Sequence, residues 1–147
     1  MEKARQKQEL LQAENLAKGQ EFLEANGKRD GVKSLENGVQ YEVLTAGAAD
    51  AKSPTATDRV RINYQGTLIN NEPFDASKEG EPAEFAVSAV VRGFAAALME
   101  MKVGDKWRVF IPAELGFGKR GSPPRIGPNE ALIFEIEMLD VIENNNQ

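Results

Sequence analysis

All seven prolines of this 147-residue chain lie after residue 53. Inside a helix, proline removes a hydrogen bond and clashes with the preceding turn. The first third of the chain is therefore free to form an unbroken helix, and the remainder is forced into short elements joined by turns. Residues 1 to 26 hold a single glycine, Gly19, and are dense in Ala, Leu, Gln, Glu and Lys, all good helix formers. Their apolar positions Leu10, Ala13, Leu16, Ala17 and Leu23 recur at helical spacings, but the stripe is thin and ringed by charge. Two readings fit: a solvated helix supported by pairs such as Glu14 and Lys18, or a stalk whose stripe meets a partner helix.

Gly27, Asp30 and Gly31 end the helical pattern, and the polar stretch up to Gly38 reads as a linker. A period of two follows. Val39, Tyr41 and Val43, then Val60, Ile62 and Tyr64, then Trp107, Val109 and Ile111, and finally Leu132, Phe134, Ile136 and Met138 alternate with polar neighbours, as half-buried strands do. Ile133 and Leu139 blur the polar face of the last run. One helical segment interrupts the strands, with Phe94, Leu98 and Met101 spaced by four and three and a stop at Lys102-Val103-Gly104. The expected fold is α+β, a twisted antiparallel sheet on one short helix behind a long N-terminal helix. The expected partition is a charged helix over 1–27, a linker over 28–37, a compact domain over 38–143 and a tail over 144–147.

Composition removes several chemistries. With neither His nor Cys, the chain lacks Ser-His-Asp and Cys-His nucleophilic sites, disulfides and the usual zinc ligand sets. No cofactor or metal is expected. The net charge of -5 argues against binding to a phosphate backbone. No apolar run is long enough to span a membrane, and the start lacks a signal-like apolar stretch, so the chain is expected to be soluble. Gly116-Phe117-Gly118-Lys119-Arg120-Gly121 has the G-x-G-x-x-G spacing of a dinucleotide site, but Ser122-Pro123-Pro124 follows where a helix would have to start. The segment reads as a stiff loop, and Lys119, Arg120 and Arg125 on it read as solubilising charges.

Five segments, in order, resemble the FKBP-type peptidyl-prolyl isomerases: Val60-Arg61-Ile62-Asn63-Tyr64-Gln65-Gly66, Pro73-Phe74-Asp75-Ala76-Ser77, Val90-Val91-Arg92-Gly93-Phe94, Ile111 through Gly118, and Leu132-Ile133-Phe134-Glu135-Ile136. The front helix is similar to the carboxyl-terminal part of the connecting helix in the bacterial macrophage infectivity potentiator branch. The resemblance implies a ligand pocket between helix and sheet. Its walls would be Tyr64, Phe74, Phe85, Phe117 and Phe134, its rim Val90 and Val91, its floor Phe94 and its flap Ile126, with Asp75 as the polar group beside it. The Val91 backbone N–H would hold a ligand carbonyl. The family's usual floor tryptophan is Phe94 here and its usual flap-side tyrosine is Phe117, which implies reduced activity and weaker macrolide binding.

The implied activity is peptidyl-prolyl cis-trans isomerisation assisting protein folding, with proline-containing unfolded or partly folded proteins as substrates and macrolides as inhibitors. A client-binding chaperone module with weak or no catalysis is the alternative. The resemblance further implies a periplasmic or cell-surface location, against a cytoplasmic alternative. It implies a homodimer formed through a segment preceding the helix, so that these residues alone would be monomeric.

Overall fold

The computed structural model describes residues 2–35 and 37–143; Glu36 and the expected tail 144–147 lie outside the described residues. Helix α1 runs over Glu2–Gly27, as its proline-free, helix-favouring composition dictates. The strands are β1 (Val32–Ser34), β2 (Gln40–Thr45), β3 (Arg59–Leu68), β4 (Pro73–Ala76), β5 (Ala83–Ala86), β6 (Lys106–Ile111) and β7 (Leu132–Ile142). Helix α2 (Arg92–Glu100) sits between β5 and β6. It ends where the Met101 amide turns back to the carbonyls of Ala97 and Leu98, just before the expected Lys102-Val103-Gly104 stop. The stretch 28–37 is more than a connection, since β1 within it pairs with β2.

All the strand pairings are antiparallel, in the order β1-β2-β6-β7-β3-β4, and β5 shares with β4 the outer edge of β3. The core lies between the concave face of this sheet and α2. Ile62, Val109, Ile111, Leu132, Ile136 and Met138 point inward from alternate strand positions and meet Phe94, Ala97, Leu98 and Met101. The alternation of β7 holds from Leu132 to Met138 and then shifts, because a bulge pairs Arg61 with Asp140 and Ile62 with Met138, leaving Leu139 as the extra residue. Trp107 is buried and stacked on Tyr41, ring centroids 4.1 Å apart.

Neither reading of the front helix anticipates its position. Helix α1 docks on its own domain, with Phe22 against Phe110 of β6 at 5.9 Å, the Gln40 side-chain amide donating to the Leu23 carbonyl at 2.8 Å, and Asn26 buried. Of the stripe read from the sequence only Leu23 is half-buried on the docked side, while Leu10, Ala13, Leu16 and Ala17 remain exposed.

Candidate active site

The site begins at β3, whose inward alternation brings Tyr64 beside the start of α2. Phe134 enters from β7, directly opposite Gly66 in the ladder, and Phe74 from β4. Phe94, in the first turn of α2, rises beneath them. The rings meet edge to face: Phe94 on Phe134 at 4.7 Å and 87°, Phe74 on Phe134 at 5.5 Å and 85°, and Tyr64 on Phe94 at 6.2 Å and 88°. Edge-to-face pairs are the favoured packing of aromatic quadrupoles and hold each ring in a fixed plane. Phe85 from β5 closes the Tyr64 side at 5.5 Å and 69°.

Together these rings wall a cavity of about 190 Å³, completed by Asp75, Ala89, Val90, Val91 and Phe117. It is smaller than the ~300–1,000 Å³ of a typical drug-sized site. All the residues expected from the sequence meet here except Ile126. That side chain is buried in the core beneath the flap and does not line the cavity. Phe117 is a rim residue more than a wall, 37% exposed on the loop after β6. Ala89 was not anticipated; a methyl group in a connecting turn carries no chemical signal in a sequence.

Asp75 is the one ionisable carboxylate of the lining, and both its oxygens are used. Tyr64 Oη donates to Oδ2 at 2.8 Å, and the Ala76 amide donates to Oδ1 at 2.9 Å. The carboxylate thus fixes the Tyr64 ring through its hydroxyl. Burial first, and then the hydrogen bond to Asp75 and the charge of that carboxylate, hold the Tyr64 phenol well above its ordinary value near 10. Among the described residues no group of His, Cys, Asp and Glu could hold a metal ion. No helix among the described residues is long and apolar enough to cross a membrane.

Two arginines frame the cavity by reaching backbone carbonyls. Arg92 Nη2 donates to the Glu114 carbonyl at 2.9 Å, joining the start of α2 to the segment that leads into Phe117. Arg125 Nη1 donates to the Phe74 carbonyl at 3.0 Å, fastening the flap over 112–131 to β4. Arg125 is therefore not merely a solubilising charge. The Gly116–Gly121 run lies in this flap as turns, with Gly118 and Gly121 at positive φ, and carries no helix that could face a pyrophosphate.

The model of the FKBP-type peptidyl-prolyl cis-trans isomerase family matches residues 50–139, and that of the domain amino terminal to it matches residues 1–43. The chain is 47% identical over 128 residues to the peptidyl-prolyl cis-trans isomerase Mip of Coxiella burnetii, covering 86% of this chain and 55% of that protein. It is 45% identical over 127 residues to the FKBP-type 22 kDa peptidyl-prolyl cis-trans isomerase of Escherichia coli, covering 86% and 61%. The chain thus spans little more than half the length of these relatives. In three dimensions it is similar to FkpA of Escherichia coli, with a TM-score of 0.88 at 41% identity, over 95% of this chain and 64% of that one. A peptidyl-prolyl cis-trans isomerase of Pseudomonas syringae matches with a TM-score of 0.84 at 33% identity, over 89% of this chain and 96% of that one. The ordered motifs, the sheet wrapped on one short helix and the aromatic cavity between them thus have one common source: the chain belongs to the FKBP-type peptidyl-prolyl cis-trans isomerase family.

Proposed function

We propose that this protein is a peptidyl-prolyl cis-trans isomerase acting on unfolded or partly folded proteins. The observation that carries the proposal is the cavity itself: a small aromatic recess of orthogonal rings with one carboxylate at its side, of a size suited to a prolyl ring. Rotation about a peptide bond faces a barrier of ~18–20 kcal/mol because resonance stiffens the C–N bond, and X-Pro exchange without a catalyst takes tens to hundreds of seconds. The twisted transition state loses that resonance, and its carbonyl is less dipolar than that of the planar amide. A dry, apolar recess shaped for the twisted form binds it better than the planar form, and that difference is the catalysis. Tyr64, Phe74, Phe94 and Phe134 grip the ring, Val90 and Val91 border it, and the Val91 N–H donates to the ligand carbonyl. Phe117 and Phe85 limit water at the mouth, while Asp75 orients Tyr64.

Macrolides would occupy the same recess, weakly, since Phe94 offers less area than a floor tryptophan. One relative is named an outer membrane protein, which supports a periplasmic or cell-surface location. A homodimer of the intact protein through residues preceding α1 belongs to the same proposal.

The test is a protease-coupled assay on a short X-Pro peptide. Turnover above the uncatalysed rate, but below that of a relative with a tryptophan floor, is expected. Exchange at the uncatalysed rate would leave a client-holding module in its place.

A further inference from the structure

We infer that helix α1 is a positioning element for the cavity, acting through the flap, with Asn15 as its principal tether. The inference rests on the isomerase reading for its kinetic consequence, but its structural content is independent of it. The flap over 112–131 carries Phe117 at the cavity rim. On one side Arg125 ties it to β4. On the other, Asn15 Nδ2 donates to the Pro128 carbonyl at 2.8 Å, and Asn129 Nδ2 donates back to the Gln12 carbonyl at 3.3 Å. The next turn of the helix brings Gly19 onto Ala131 so closely that a Cβ there would lie 3.3 Å from the alanine methyl. From Asn129 the connection continues inward, because its backbone amide donates to the Gly118 carbonyl at 2.8 Å, one residue from Phe117.

Packing does not hold this loop by itself. Between α1 and the back of the flap lies a recess of about 360 Å³, bounded by Leu16 and Gln20 on the helix and by Glu114, Gly118 and Lys119 on the flap. The loop next to Phe117 therefore has space behind it, and directional hydrogen bonds set its position. The composition of α1 fits such a role. Where the helix packs on the sheet it uses Phe22, but its direct ties to the flap come from Gln12, Asn15 and Gly19, which orient a backbone and bury little apolar surface. Asn15 and Asn129 touch no residue of the reacting site, so both act by placing Phe117.

The test uses the whole chain with Asn15→Ala and with Asn15→Asp, the latter keeping the shape of the side chain but losing the amide donor. Both should speed hydrogen exchange of the Asn129 amide while leaving that of Val109 and Ile136 unchanged. On a short X-Pro peptide both should raise KM by about fivefold, the equivalent of one hydrogen bond, with kcat altered less than twofold. Asn15→Gln, which retains the donor, should restore part of the affinity. Unchanged exchange at Asn129 would overturn the inference, and so would an Asp variant indistinguishable from the parent. Acceleration spread evenly over the flap and the sheet would reduce α1 to a general stabiliser and also overturn it. If the parent protein shows no turnover, the isomerase reading fails, and the exchange pattern alone still decides whether α1 tethers the flap.

Discussion

Gly66 occupies a position that no side chain can share with the site. A Cβ there would lie 2.6 Å from Cζ of Phe74 and 2.8 Å from Cε1 of Phe134, inside both rings of an edge-to-face pair. Gly66→Ala should force those rings out of their planes, costing about 1–3 kcal/mol of stability and lowering kcat/KM further than the stability loss alone explains. Urea denaturation and the peptide assay check both; a variant unchanged in each would show that the rings slide freely. Asp75 is a second residue whose importance runs through a neighbour. Asp75→Leu releases the Tyr64 hydroxyl and should reduce kcat/KM by about tenfold, or ~1.4 kcal/mol, whereas Asp75→Asn keeps an acceptor and should stay near the parent value. Abolition by the asparagine variant would point to proton transfer and contradict catalysis by binding. The aromatic lining was legible through the resemblance to a family, and of its rings only Tyr64 and Phe134 also stand in the strand alternation read from the sequence. The latch of Arg125 was not, since nothing in a sequence says which carbonyl a flexible cation will reach.

At the level of elements, the front helix carries the sharpest difference between expectation and structure. Its shielded positions Gln12, Asn15, Gly19, Phe22, Leu23 and Asn26 follow steps of one, three and four, so one face does dock, but that face is built largely of amides and a glycine. Hydrophobic periodicity cannot detect such a face, and of the leucines that carry the period Leu10 and Leu16 are left in water. A clue lay in the partner strands. Phe110 breaks the alternation of β6 and Ile133 that of β7, and the register sets the two side by side on the convex face, where Phe22 covers Phe110. This docked face should give α1 a share in stability. Phe22→Ala should cost about 1–2 kcal/mol, less than the ~3–5 of a fully buried phenylalanine. Removing residues 1–27 should cost ~2–4 kcal/mol by uncovering Phe110. A urea midpoint unmoved by either change would mean that the docked helix has no energetic weight.

For the whole molecule, the sheet order is what local patterns cannot supply. The last strand, β7, lies between β6 and β3, and that arrangement depends on pairings between residues far apart in the chain, visible beforehand only through the resemblance to a family. Composition, by contrast, acts on the molecule as a unit. With no histidine or cysteine in the 147 residues, no side chain has its ordinary titration between about pH 6 and 8, and turnover should be flat across that window and unaffected by chelators. In alkali, stability should respond through Tyr64. The Tyr64 phenol binds its proton more tightly in the folded state than in the unfolded chain, because burial and the Asp75 carboxylate both disfavour the phenolate. Its contribution is complete below the unfolded value near 10 and is lost as the pH climbs from there toward the raised folded value. The melting temperature of the parent should therefore fall more steeply between about pH 9 and 11 than that of Tyr64→Phe, which has no proton to lose at that position. Parallel curves would show that the phenol is not held in the folded state as its bond to Asp75 requires, and a bell-shaped activity profile near neutrality would show that a proton moves in the reaction.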